Sequence, residues 1–113
     1  MLNQIVNSIR VQVAERKLSH PVSSLQIRPG KFAFSRALTD KDWALIAECK
    51  LASPAKGRLC QTHTVPELAK IFAENGAAAL SVHTSAPFLA KLADIAAVGQ
   101  VSSLPILRKD FII

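Results

Sequence analysis

Residues 104–113 read LPILRKDFII. Leu104, Ile106 and Leu107 are apolar around Pro105, Arg108-Lys109-Asp110 follow, and Phe111-Ile112-Ile113 complete the stretch. A short apolar run that ends in charge reads as a buried strand delivering polar groups at its carboxyl end. Two earlier runs have the same form. WALIAECK (43–50) is apolar until Glu48 and Lys50, and AAALSVHT (77–84) leads into Ser81, His83 and Thr84. Three such runs predict three strands.

Helical periodicity separates them. In VPELAKIFAEN (65–75), Leu68, Ile71 and Phe72 share one face, and Thr64-Val65-Pro66-Glu67 has the capping-box pattern with proline in the first turn. Asn75-Gly76 supplies a left-handed cap. APFLAKLADIAAV (86–98) predicts a second helix, with Phe88, Leu89, Leu92 and Ile95 periodic and Gly99 at its end. At the N-terminus, MLNQIVNSIRVQVAERKL (1–18) places Leu2, Ile5, Val6, Ile9 and Val13 on one face. SHPVSSLQIRPGKFAF (19–34) reads as a linker, FSRALTDKD (34–42) as one short helical turn, and LASPAKGRLCQTHT (51–64) as a loop. The order helix, strand, helix, strand, helix, strand, with strands apolar on both faces, predicts an α/β fold. Its strands are parallel and its helices lie outside. Three strands leave both sheet edges open.

The chain has 113 residues, half of them hydrophobic, enough for one domain with a modest core and not a disordered composition. No apolar stretch has the length of a membrane span. The N-terminal segment lacks the positive start and apolar core of a secretory signal. Its mixed charges at Glu15, Arg16 and Lys17 suit a docking helix that covers apolar surface better than a transit peptide. Cys49 and Cys60 make no disulfide framework, which fits a reduced cytoplasmic setting. His20, His63, His83 and the cysteines lack metal-ligand spacing, so no metal is expected. The net charge of +6 is spread along the chain without long runs or interleaved aromatics. That argues against nucleic acid and suits a small phosphorylated or carboxylated ligand.

In sheets of this kind ligands bind beyond the carboxyl ends of the strands. Glu48, Cys49, Lys50 and Ser53 end the first strand, Ser81, His83 and Thr84 the second, and Lys109, Asp110 and Phe111 the third; all are expected at one rim. Glu48 and Lys50 share a side by period two, and Lys109 joins them. A carboxylate beside a lysine keeps its ammonium charged and aimed, and a second lysine attracts an anion and lowers the first one's pKa. Glu48 and Lys50 alone would read as a plain ion pair; with Lys109 and Ser53 they read as a site. His83 reads as a packed or hydrogen-bonded histidine and Cys49 as core. SPAKG (53–57) lacks the glycines and the lysine–hydroxyl pair of a phosphate loop, which leaves Lys56 a solvated lysine.

Taken together, LIAECKLASPAKG (45–57), GAAALSVHT (76–84) and LPILRKDFII resemble the N-terminal part of the indole-3-glycerol-phosphate synthase family. The likeness includes IVNSIRVQVAERK (5–17) and FSRAL (34–38). The resemblance implies a partial (β/α)₈ TIM barrel (first three parallel strands) with an N-terminal helical extension. Residues 1–40 would be the extension and linker, and 41–113 the first three β/α units. It implies a lyase of tryptophan biosynthesis that closes the ring of 1-(2-carboxyphenylamino)-1-deoxyribulose 5-phosphate, with loss of carbon dioxide and water and without cofactor or metal. Lys109 would be the general acid, Lys50 the contact to the substrate's anionic groups, and Glu48 the orienter of the lysines. Ser53, Phe111 and Phe88 would line the pocket, with Phe111 against the anthranilate ring.

The family usually has threonine, an acid, an aromatic and glycine-serine after the second strand. Here Ala90 and Lys91 take the glycine-serine places, and His83 replaces an apolar residue. The family's later glutamate, asparagine and phosphate-gripping loops have no counterpart in these residues. The chain is therefore expected to be an N-terminal piece of a protein about twice as long, given a barrel of ~250 residues, and inactive alone. A different class stays open: a non-catalytic paralogue or half-barrel that self-associates through its open sheet edges.

Overall fold

The computed structural model describes all 113 residues. They form two compact units, one of residues 1–31 with 111–113 and the other of residues 32–110.

The first unit is built on helix α1, Leu2–Ser19. Arg16 and Lys17 lie in its last turn, where cations complement the helix dipole. Of the expected apolar face, Ile9 is buried, Ile5, Val6 and Val13 are half-buried, and Leu2 is exposed. Pro21 precedes a single 3₁₀ turn, Val22–Ser24, closed by a 2.7 Å hydrogen bond from Ser24 Oγ to the Pro21 carbonyl.

The second unit opens with helix α2, Ala33–Thr39. Phe32 enters it in the left-handed conformation (φ 53°), an unusual backbone for a bulky residue. A parallel sheet follows, made of β1 (Ile46–Cys49), β4 (Ala79–His83) and β5 (Ile106–Lys109), in the order β1-β4-β5. This is the expected α/β arrangement, consistent with part of a TIM barrel. Glu48 pairs with Ser81 and Ser81 with Leu107, and two residues on His83 pairs with Lys109.

Helices α3 (Val65–Glu74) and α4 (Ala93–Val101) pack on one face of the sheet. The core joins Ala47, Cys49, Leu80 and Val82 to Val65, Ala69 and Val98, with Phe72, Ile95 and Ile106 against them. Only β4, the central strand, is buried at every position. In the edge strands the alternate residues Ile46 and Leu107 are exposed, because their side chains point to the face opposite α3 and α4. The strands are thus not all apolar-buried on both faces as their composition suggests.

Three local features depart from expectation. Trp43 to Leu45 precede β1 rather than belonging to it, and Trp43 is exposed. The loop after β1 contains a small hairpin, β2 (Ala52–Ser53) against β3 (Gly57–Arg58). Gly57 takes a left-handed φ of 66° there, which a side chain would strain. The helix expected over 86–98 is broken. A 3₁₀ turn, Ala86–Phe88, ends at left-handed Leu89 (φ 54°), and α4 starts only at Ala93. The Asp94 carboxylate, in the first turn of α4, accepts the Lys91 N–H at 3.0 Å just before the helix. Gly99 lies inside α4, which runs to Val101.

Candidate active site

Glu48 is the centre of the site. It lies near the carboxyl end of β1, on the sheet face opposite the core, while its neighbour Cys49 is buried in that core. Lys109 Nζ donates to Glu48 Oε2 at 2.7 Å. Lys50 Nζ stands 3.7 Å from Oε1, and His83 Nε2 stands 3.2 Å from the same oxygen without the alignment of a made hydrogen bond. Three strand ends thus bring two ammoniums and an imidazole to one carboxylate. Partial burial alone would raise the Glu48 pKa. The Lys109 hydrogen bond, the His83 ring and their charges outweigh it and hold the carboxyl at about 2.

The turn after β4 supplies the wall. Phe88 stacks on the His83 ring with centroids 4.3 Å apart and 21° between planes, and Lys50 Nζ lies 5.5 Å from the Phe88 centroid. Ser53 belongs to β2. Its hydroxyl and its carbonyl both accept the Lys56 N–H, at 3.1 and 3.3 Å, so it closes the hairpin turn. Phe111 follows β5 by two residues and is half-buried in the unit that contains residues 1–31.

Not every group expected at the rim points to the same side. Thr84, Arg108 and Asp110 form their own network: Arg108 Nε donates to Thr84 Oγ1 at 3.0 Å, and Arg108 Nη2 to Asp110 Oδ2 at 3.1 Å. The Thr84 hydroxyl donates to Asp110 Oδ2 at 2.5 Å. The residues alternate along the chain, so Lys109 faces Glu48 while its neighbours Arg108 and Asp110 do not. Sequence reading placed Thr84 and Asp110 at the rim but missed this clamp. The parity of Arg108 and Asp110 around Lys109 was the available signal.

A cavity of about 580 Å³ lies elsewhere. It lies among Leu51, Arg58, His63, Lys91 and Asp94, between the loop after β1 and the starts of α3 and α4, and none of the site residues line it. No three His, Cys, Asp or Glu side chains gather where they could hold a metal ion. No helix is long and apolar enough to cross a membrane.

Parallel β/α units with a lysine–carboxylate cluster at the strand ends define the class: proteins built on TIM-barrel units. Within it, the family model for indole-3-glycerol phosphate synthase matches residues 2–113, and the chain belongs to that family. It is 43% identical over 107 residues to the indole-3-glycerol phosphate synthase of Desulforamulus reducens, covering 93% of this chain and 40% of the relative. It is 40% identical over 125 residues to that of Roseiflexus sp. (strain RS-1), covering 100% and 46%. The protein of the same name from Shouchella clausii is 37% identical over 118 residues, with 100% and 44% covered. The chain thus spans less than half the length of the curated relatives it matches.

Proposed function

We propose that this chain carries the acid side of an indole-3-glycerol-phosphate synthase reaction. The substrate would be 1-(2-carboxyphenylamino)-1-deoxyribulose 5-phosphate, closed to the indole with loss of carbon dioxide and water. The observation that carries the reading is the Glu48 carboxylate held 2.7 Å from Lys109 and 3.7 Å from Lys50 where parallel strands end. A condensation that expels water needs a proton donor, and Lys109 supplies it. Lys50 meets the substrate's anionic groups, and Glu48 keeps both ammoniums charged and aimed. Phe88 and Phe111 give the aromatic ring apolar surface, and Ser53 borders the pocket. Residues 1–40 act as a helical extension with linker, and 41–113 as the first three β/α units. No cofactor, metal, nucleic acid or membrane takes part, and the setting is cytoplasmic. Turnover requires the further length that the relatives have.

The test is a chimera in which the remainder of the Desulforamulus reducens relative follows this chain. Ring closure is expected, and Lys109→Ala lowers it by about 10²–10⁴-fold, the contribution typical of a positioned general acid. A chimera that turns over normally without Lys109 overturns the assignment.

A second reading has its own observation. β1 and β5 are each paired on one side only within the sheet. Such edges can pair with another copy, which would make the chain an assembly module rather than an enzyme. A native mass that rises with concentration supports that reading, and a monomer throughout removes it.

A further inference from the structure

His83 is the one buried titratable group of the site to which the proposed reaction gives no task. It is 3% exposed and sits in the central strand, so it cannot turn out into solvent. One face of its ring is fixed by Phe88. Its Nε2 lies 3.2 Å from Glu48 Oε1, short of a made hydrogen bond. The other two partners of the carboxylate are long, flexible lysines, and Lys109 is half exposed. A glutamate with three rotatable torsions, held only by such partners, has no fixed orientation. A rigid imidazole at one oxygen supplies it.

We infer that His83 is the positioning residue of this site: it occupies Oε1 of Glu48, leaves Oε2 to Lys109, and through its charge sets how tightly Lys109 is held. The charged groups that face the ring are Glu48 on β1, Lys50 just after β1, and Lys109 paired beside it on β5. Phe88, on the turn after β4, is uncharged. As a neutral ring, His83 holds Oε1 by one N–H at most. As an imidazolium it brings a third cation to a single carboxylate. Lys109 then has a smaller share of the anion and more repulsion around it. The value of this for catalysis rests on Lys109 being the proton donor; the coupling itself does not.

The experiment is an NMR titration of the 113-residue chain labelled with ¹³C at lysine and histidine. The Lys109 Cε resonance is expected to move in a distinct step that coincides with the change in the His83 Cε1 resonance. Glu48→Gln abolishes the step. His83→Gln also abolishes it but keeps an N–H near Oε1, so Lys109 stays at the shift it has beside neutral His83; His83→Leu displaces it. A Lys109 resonance that is flat through the His83 titration overturns the inference. So does a step that persists in Glu48→Gln, or a His83→Leu protein whose Lys109 is undisplaced. Should the variants not fold, the wild-type titration decides alone. None of these readings needs turnover, so their failure leaves the lyase assignment standing. A Lys109-independent chimera would sink that assignment and leave the coupling untouched.

Discussion

At the scale of single residues, the two cysteines differ in what their surroundings do to the thiol. Burial, then the charge of neighbouring Glu48, pushes the Cys49 thiol up to about 11. Backbone hydrogen bonding at Thr62, then His63, lowers that of Cys60, which lies in the loop after β1. A thiol reagent at roughly pH 8 is expected to modify Cys60 in the folded protein and reach Cys49 only on unfolding. Mass mapping of the labelled sites checks this; equal labelling in the native state contradicts it. Glu48 makes a second prediction. Its carboxyl is depressed from 4.5 to about 2, so it binds its proton less readily folded than unfolded. That stabilisation is complete above the unfolded value and is lost as the pH falls through the window from 4.5 to about 2. Glu48→Gln should therefore flatten the acid limb of a stability–pH curve in that window. An unchanged limb would mean that Glu48 is not held by its cations.

At the scale of elements, α3 shows how local chemistry sets a boundary. The Thr64 side chain accepts the Glu67 N–H at 3.4 Å, and the Glu67 carboxylate accepts the Thr64 N–H at 2.7 Å. Thr64→Ala should cost about 1 kcal/mol of stability in urea unfolding. This boundary was legible in the sequence because every group that makes it lies within four residues. The break between Phe88 and Ala93 was not. Phe88, Leu89, Leu92 and Ile95 have helical spacing, yet the turn is decided by left-handed Leu89 and by the Asp94 carboxylate reaching back to Lys91. The hairpin at Ala52–Arg58 was missed for a similar reason, since two-residue strands carry no periodicity. At the site, Glu48, Lys50 and Lys109 were readable from strand alternation, and the structure does bring them together. The place of His83 against Glu48 was not readable, because it depends on the register between β1 and β4.

At the scale of the whole molecule, the core of the 32–110 unit is small. Its largest fully buried side chains are Leu80, Val82, Val98 and Cys49. Leu80, in the central strand, is fully buried in that core, and Leu80→Ala should cost about 2–5 kcal/mol. A loss well below that range in denaturant melts would show that the sheet and helices pack loosely. The Thr84–Arg108–Asp110 clamp ties the ends of β4 and β5 on the opposite face from Glu48. Asp110→Ala removes a charge-assisted partner from both Thr84 and Arg108 and should cost about 2 kcal/mol. It leaves the Lys109–Glu48 contact without its fastening.

That clamp gives the tripeptide Arg108-Lys109-Asp110 a division of labour by parity: the middle residue serves the carboxylate, and its two neighbours fasten the strand. Substituting Lys109 alone would remove the Glu48 contact and leave the fastening whole. Inserting or deleting one residue within β5 would do something different. Every side chain beyond the change would swap faces, pointing Arg108 and Asp110 at Glu48 and driving Lys109 toward the helices. Length polymorphism within this strand is therefore far less tolerable than substitution, and a sequence that keeps all three residue types out of phase would keep neither job.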